Sequence, residues 1–420
     1  MLALKISATL ARMTAGKISL QSIKRARERI GAYIARTPCE FSVGLSDLVG
    51  ARVYVKLDNL QATGSFKERG AANKLLQLTA AERKRGVVTP SAGNHGLGVA
   101  YQAKKLGIPA TIVMPKGAPL IKQSNVRRLG ATIVLHGDSY ADALAKAREI
   151  ASEKKQVFVH GFDDLAVIEG QGTLGLEIVE AVPDLDAVIV PVGGGGLIAG
   201  VGTAVKALRP RAKIIGVEPE RYASMVAALK AHKPVTIEAT PTIADGLAVN
   251  CVGANALSIA AGVIDEMVTV TEDEIAKAIL VLLEVEKTVV EGAGAAPLAA
   301  MFTGKVDLRG KTVVLPLCGG NIDVNIMANI IERGLVKDGR LAWVRTFASD
   351  KPGQLAAIAR VIADGGASVK DVHHNRAFGR VEPGGVEIDW ILETRGHDHL
   401  AELVLKLREK KIRVQTFENV

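Results

Sequence analysis

The sequence predicts an α/β protein of parallel sheets flanked by helices, followed by a smaller antiparallel unit of mixed strands and helices. Three observations carry that expectation. From about residue 50 to 320, short β-branched runs alternate with segments of helical spacing. Several runs are apolar without a break, as in Ala187-Val188-Ile189-Val190, the pattern of strands covered on both faces. After Gly334-Leu335-Val336-Lys337-Asp338-Gly339 the rhythm changes to strict alternation.

In chain order, the strand candidates are residues 52–57, 86–89, 110–114, 132–135, 157–160, 187–192, 213–217 and 312–317. Segments 74–85, 96–106, 140–154, 197–208 and 272–287 carry helical spacing between them. In the tail, Leu341, Trp343 and Phe347 share one face of a strand, and 354–364 places Leu355, Ile358 and Ile362 on one face of a helix. Val386, Ile388, Trp390 and Leu392 alternate as a half-buried antiparallel strand does. Residues 399–410 repeat the helical stripe with Leu400, Leu403, Val404 and Leu407, and 412–417 closes as a strand. Strand–helix–strand–strand–helix–strand over about 80 residues is a split βαβ unit. The expected organisation is an α/β region over 1–337, with a small subdomain at about 58–163 inserted in the large one, and a βαββαβ unit over 338–420.

A chain of 420 residues exceeds one ordinary core and suits two or three domains. Its 48% hydrophobic and 23% charged residues fit a soluble globular protein. The net charge of +9 is uneven: Lys5, Arg12, Lys17, Lys24, Arg25 and Arg27 precede the first acid, Glu28. The remainder is nearly balanced and aromatic residues are only 4%, so no nucleic-acid partner is expected. The basic leader fits a helical arm on the surface; an acid-free leader also resembles a transit peptide. No apolar run approaches the roughly 20 residues of a membrane helix. Cys39, Cys251 and Cys318 form neither a metal-spaced pair nor an even disulfide set, which fits a reducing compartment such as the cytoplasm. His373-His374 and His397 with His399 lack accompanying cysteines or a carboxylate triad, and no metal site is expected.

Four short motifs carry chemistry. Lys67 lies in Gly64-Ser65-Phe66-Lys67-Glu68-Arg69-Gly70-Ala71, at the expected entrance of a helix, where the dipole lowers an amine's pKa. Gly193-Gly194-Gly195-Gly196-Leu197 follows an apolar strand and opens a helix, a position where consecutive amides can close around a phosphate. It lacks the G-x-G-x-x-G spacing of dinucleotide folds. Ser91-Ala92-Gly93-Asn94-His95-Gly96 also joins a strand to a helix and offers amides to an anion such as a substrate carboxylate; His95 is either a general base or a packed residue. Cys318, before Gly319-Gly320-Asn321, ends a strand and points into the crevice where α/β proteins bind ligands. Together these supply an amine for a Schiff base, a phosphate cradle, an amide for a phenolic oxygen and a mild partner for a ring nitrogen. Pyridoxal 5'-phosphate needs that set.

The motifs, with Glu291-Gly292-Ala293-Gly294-Ala295, resemble the threonine/serine dehydratases of the tryptophan-synthase-β-like pyridoxal phosphate enzymes, over about residues 20–335. The tail, with Ser349-Asp350-Lys351-Pro352-Gly353 after its first strand, resembles an ACT domain, an amino-acid-sensing module. The combination is similar to threonine ammonia-lyases with one carboxyl-terminal ACT domain. The resemblance implies PLP fold type II and elimination of L-threonine to 2-oxobutanoate and ammonia, with L-serine to pyruvate as a lesser activity. That step would open isoleucine biosynthesis.

By position, Lys67 would bind the cofactor and then remove the Cα proton, with Phe66 beside it, and Asn94 would bond the phenolic oxygen. Gly193, Gly194, Gly195, Gly196 and Leu197 would hold the phosphate, and Cys318 would face the ring nitrogen. Ser91, Ala92, Gly93 and His95 would surround the substrate carboxylate, and Glu291 would line the pocket. Serine racemases carry a second serine, the opposite-face base, where this chain has Ala92. They also bind a cation through acids after a Glu-Pro pair; here Glu218-Pro219 is followed by Ser224 where an aspartate is expected. Serine racemase, hydroxyaspartate ammonia-lyase and a catalytically silent amino-acid-binding regulator are the alternatives. The tail implies a branched-chain amino-acid effector near Asp350, Pro352 and Gly353, and a homodimer or homotetramer.

Overall fold

The structure, a computed structural model, describes residues 4–5, 16–238, 240–376, 382 and 384–417. Its strands are β1 (Leu4–Lys5), β2 (Cys39–Phe41), β3 (Arg52–Lys56), β4 (Val87–Pro90), β5 (Ala110–Met114), β6 (Thr132–Leu135), β7 (Val157–Phe158) and β8 (Ala187–Pro191). They continue with β9 (Lys213–Pro219), β10 (Glu266–Val270), β11 (Thr312–Pro316), β12 (Leu341–Ser349), β13 (Ser368–Asn375), β14 (Gly385–Glu393) and β15 (Arg413–Phe417).

Residues 1–322 and 323–420 form two compact units. In the first, a seven-stranded sheet runs β1-β10-β9-β8-β11-β3-β2. Its five central strands are parallel, and β1 and β2 are antiparallel at the edges. A second, all-parallel sheet runs β6-β5-β4-β7. The uninterrupted apolar strands are the inner ones: every residue of β5, β8 and β11 is buried, as helices on both faces require. Both α/β expectations hold.

The carboxyl-terminal unit is an antiparallel sheet, β13-β14-β12-β15. Helices Gln354–Asp364 and His397–Glu409 sit in the strand–helix–strand–strand–helix–strand order that the alternation predicted. Ile358, Ile362, Leu403 and Leu407 pack against Val386, Ile388, Trp390 and Leu392. Trp390 Nε1 donates to Thr346 Oγ1 at 2.9 Å, which satisfies the one polar atom of that buried ring.

Two boundaries differ from the sequence reading. The helix expected at 74–85 is two helices, Lys67–Leu76 and Ala80–Arg85. Thr79 starts the second with a capping box, its hydroxyl accepting from Glu82 N while Glu82 reaches back to the Thr79 backbone. The contact boundary falls after Ile322, so helix Val324–Lys337 groups with the smaller unit. Much of the basic leader, residues 1–3 and 6–15, lies outside the described residues. Helix Leu20–Ile30 follows it and packs Ile23 against Leu176 and Ala204.

Candidate active site

Lys67 is the first residue of helix Lys67–Leu76, and two residues later Arg69 is bound into the core. The Arg69 guanidinium forms a fork with Asp58, Nε to Oδ2 at 2.7 Å and Nη2 to Oδ1 at 2.8 Å. It forms a second fork with Glu177, at 2.6 and 2.9 Å. Lys56 Nζ reaches Glu177 Oε2 at 2.6 Å and Thr37 Oγ1 at 2.7 Å, and Thr37 Oγ1 donates to Asp58 Oδ1 at 2.6 Å. Two cations and two anions, all buried, are thus mutually satisfied. Burial would push the Asp58 carboxyl up, but Arg69 and Lys56 beside it hold it below its usual value.

Phe66, Lys67, Ser91, Ala92, Gly93, Asn94, His95, Gly193 to Leu197, Glu291 and Cys318 all line one cavity of about 890 Å³. Ser91 to His95, Gly193 to Leu197 and Cys318 reach it from the carboxyl ends of β4, β8 and β11, the side on which open α/β sheets bind ligands, while Phe66 and Lys67 open helix Lys67–Leu76 and Glu291 occupies the N-cap of helix Gly292–Phe302. Lys67 Nζ donates to Gly161 O at 2.8 Å. Burial lowers its pKa to about 8, against the opposing pull of Cys318 and Glu291. The amine is therefore far closer to its nucleophilic, neutral form than an exposed lysine.

Across the cavity, Asn94 Nδ2 donates to Glu291 Oε1 at 2.7 Å, and Asn321 Nδ2 donates to Asn94 Oδ1 at 2.8 Å. Burial raises Glu291 to about 7, aided by the nearby Asp245 charge. Cys318 is buried, and that burial, with Glu291 beside it, holds its thiol well above the usual value and therefore neutral. His95 is not a base: burial and the Lys67 charge lower it to about 3, and its Nε2 faces Val159 O at 3.2 Å.

The tetraglycine is packed, not a loose loop. A Cβ on Gly194 would lie 2.2 Å from the Phe162 ring, and one on Gly196 would lie 2.6 Å from Phe162 O. Gly195 has φ +92°, a left-handed conformation that side chains disfavour. The helix Gly196–Leu208 begins there, so its free amides and positive dipole end point into the cavity. The cradle suits a phosphate.

Other expected residues lie elsewhere. Asp350, Pro352 and Gly353 form the turn between β12 and helix Gln354–Asp364, where Asp350 accepts from Arg376 Nε at 3.1 Å. Glu218 is buried and accepts Met225 N and Val226 N at 2.7 and 3.0 Å, capping helix Ser224–Ala231. Among the described residues no group of three or more His, Cys, Asp or Glu is placed to hold a metal. The structure adds cavity residues that no motif marked: Gly161, Phe162, Gln171, Lys122 and Asp245. Phe162 and the Gly161 carbonyl carry no sequence signal, because a single aromatic or a backbone oxygen is legible only once folded.

A buried lysine of lowered pKa, a phosphate cradle, an oriented amide and a neutral thiol around one cavity define an enzyme built for a phosphate-bearing aldehyde cofactor. Comparison with known proteins agrees. Residues 30–319 match the family model described as pyridoxal-phosphate dependent enzyme. An L-threonine ammonia-lyase of Thermotoga maritima is 47% identical over 386 residues, 92% of this chain and 96% of that protein. The processed form of threonine deaminase isoform 2 from Solanum lycopersicum superposes with a TM-score of 0.72 at 34% identity, covering 79% of this chain and 96% of that one. Maize serine racemase superposes at 0.71, also at 34% identity, covering 76% and 98%. The chain belongs to the pyridoxal-phosphate dependent enzymes, and pyridoxal phosphate is its cofactor.

Proposed function

We propose that this protein is a threonine ammonia-lyase: it eliminates water from L-threonine, and the enamine released tautomerises and takes a water back to give 2-oxobutanoate and ammonia, with L-serine a poorer substrate that gives pyruvate. Pyridoxal phosphate supplies an aldehyde for the amino group and a ring that accepts electrons from Cα. The chain's residues do the rest. Lys67 holds the cofactor and then carries the Cα proton. Asn94 would donate to the phenolic oxygen, and the amides of Gly193 to Leu197 would hold the phosphate. Neutral Cys318 would lie on the side of the ring nitrogen and would leave it unprotonated, which suits prompt loss of a β leaving group. Ser91, Ala92, Gly93 and His95 surround the substrate carboxylate.

One observation carries the choice of elimination. Lys67 lines the cavity together with the thiol of Cys318, and Ala92 puts a methyl where the racemases' second base stands. The racemase alternative, favoured by the maize superposition, lacks that donor. The test is to mix the pure protein with L-threonine and assay 2-oxobutanoate. Turnover lost in Lys67→Ala together with the imine absorbance is expected; conversion of L-serine to D-serine without 2-oxobutanoate would overturn the assignment.

The 386-residue match to the Thermotoga lyase exceeds the 322 residues of the larger unit, so it extends into the tail. That supports a biosynthetic, feedback-regulated enzyme opening the isoleucine pathway, with an ACT-like unit that takes isoleucine or valine near Asp350, Pro352 and Gly353. A homodimer or homotetramer and a cytoplasmic location complete the proposal. Titrating the full chain and a chain ending at residue 340 with both amino acids tests the tail.

A further inference from the structure

Among the described residues, the cavity is lined by two ammonium groups, Lys67 and Lys122. The first is committed to the cofactor in the function proposed above. The second has no part in it. Lys122 stands on helix Leu120–Arg128, beyond the carboxyl end of β5, and its Nζ donates to Asp245 Oδ2 at 2.6 Å. Asp245 opens the short turn Asp245–Leu247, and a Cβ on Gly246 would lie 3.2 Å from Glu291 Oε1. Lys122 and Asp245 both act on the Glu291 carboxyl, in opposite directions. The ion pair therefore borders the reacting end of the cavity.

We propose that Lys122 is the cation that receives the α-carboxylate of the amino-acid substrate, releasing Asp245 as it does so. The proposal rests on the reading that an amino acid is the substrate. A cation at the carboxylate's end of the cavity would offset its charge locally. Asp163, Asp245 and Glu291 already line the cavity, and a phosphate and a carboxylate must enter it. The Ser91-Ala92-Gly93 turn offers only neutral donors, which orient a carboxylate without offsetting its charge.

Exposure decides which partner leaves. The Lys122 side chain is 29% exposed and that of Asp245 is 54%. Asp245 is the wetter of the two and returns to water readily, and a pair this exposed contributes little to stability. Lys122 exchanges one carboxylate for another and keeps an anionic partner throughout.

The test uses the holoenzyme and two unreactive probes: L-2-aminobutanoate, which keeps the carboxylate, and n-propylamine, which lacks it. Binding is read by calorimetry and by the cofactor's absorbance. Lys122→Met and Lys122→Gln are measured in parallel, so a folding defect in one leaves the other. Each should weaken L-2-aminobutanoate about 10- to 100-fold, the range of a hydrogen bond between charged groups, and leave n-propylamine unchanged. Asp245→Asn should not weaken L-2-aminobutanoate, because it removes a competitor. Unchanged affinity in the Lys122 variants would overturn the proposal. So would equal loss for both probes, or a loss in Asp245→Asn as large as in Lys122→Met, which would make the pair a structural clasp. Absent L-threonine turnover by the unaltered enzyme, with carboxylate discrimination intact, would count against the threonine assignment alone.

Discussion

Asn94 donates from Nδ2 to Glu291 Oε1 at 2.7 Å while its Oδ1 accepts from Asn321 at 2.8 Å, so its amide is held from both ends and cannot flip. The second N–H of Nδ2 is left for a ligand. An orientation that would otherwise be a matter of chance is thereby fixed before any cofactor arrives.

Glu291 should impose a pH dependence on the cofactor-free protein. Its pKa rises from 4.5 to about 7 on folding, through burial first and Asp245 second. The folded state therefore binds more protons than the unfolded state between those values, and stability falls as pH rises through that window. The slope approaches about 1.4 kcal/mol per pH unit. Urea unfolding at a series of pH values should show this decline, and Glu291→Gln should flatten it. A slope unchanged in the variant would remove Glu291 from the account.

The cradle makes a second prediction through its steric partner. Gly194→Ala should destabilise the protein by about 1–3 kcal/mol, the range for overpacking, because the new methyl meets the Phe162 ring. Cofactor retention on gel filtration should fall with it. Phe162→Ala in the same chain should restore much of both. Gly196→Ala should not be rescued that way, since its methyl meets the Phe162 backbone oxygen. Equal rescue at both positions would show that the ring does not pack as described.

Arg69→Met removes a guanidinium shared by two buried carboxylates and leaves Asp58 with no cation in direct contact. Breaking a buried pair from one side costs about 3–5 kcal/mol. Arg69→Met with Asp58→Asn should recover part of that loss, since it removes the stranded charge too. Chemical denaturation of the single and double variants measures both. A single variant as stable as the parent would refute the network's importance.

The sequence displayed the site's small-residue motifs because glycine runs, a lysine at a helix start and a cysteine at a strand end are each contiguous. It also displayed the sheets, since β5, β8 and β11 are apolar throughout. It did not display the Arg69 network, whose members Lys56, Asp58, Arg69 and Glu177 are assembled from across more than a hundred residues. Glu177 lies on helix Leu165–Ala181, which is buried on nearly all sides and so lacks the amphipathic stripe that marks a surface helix. Strand β10 does not read as a continuous apolar run, because Glu266 and Thr269 interrupt it. Lys122 and Asp245 stand 123 positions apart, and only the cavity reveals that they meet.

The fork that Arg69 makes with two acids has a mechanical consequence for its neighbour two positions back. Sliding the first helical turn would strain both forks of the guanidinium at once, so the reactive nitrogen is tethered to the core. Variation that retunes this catalyst can reshape the walls around the bound amino acid, but the point of attachment stays where it is.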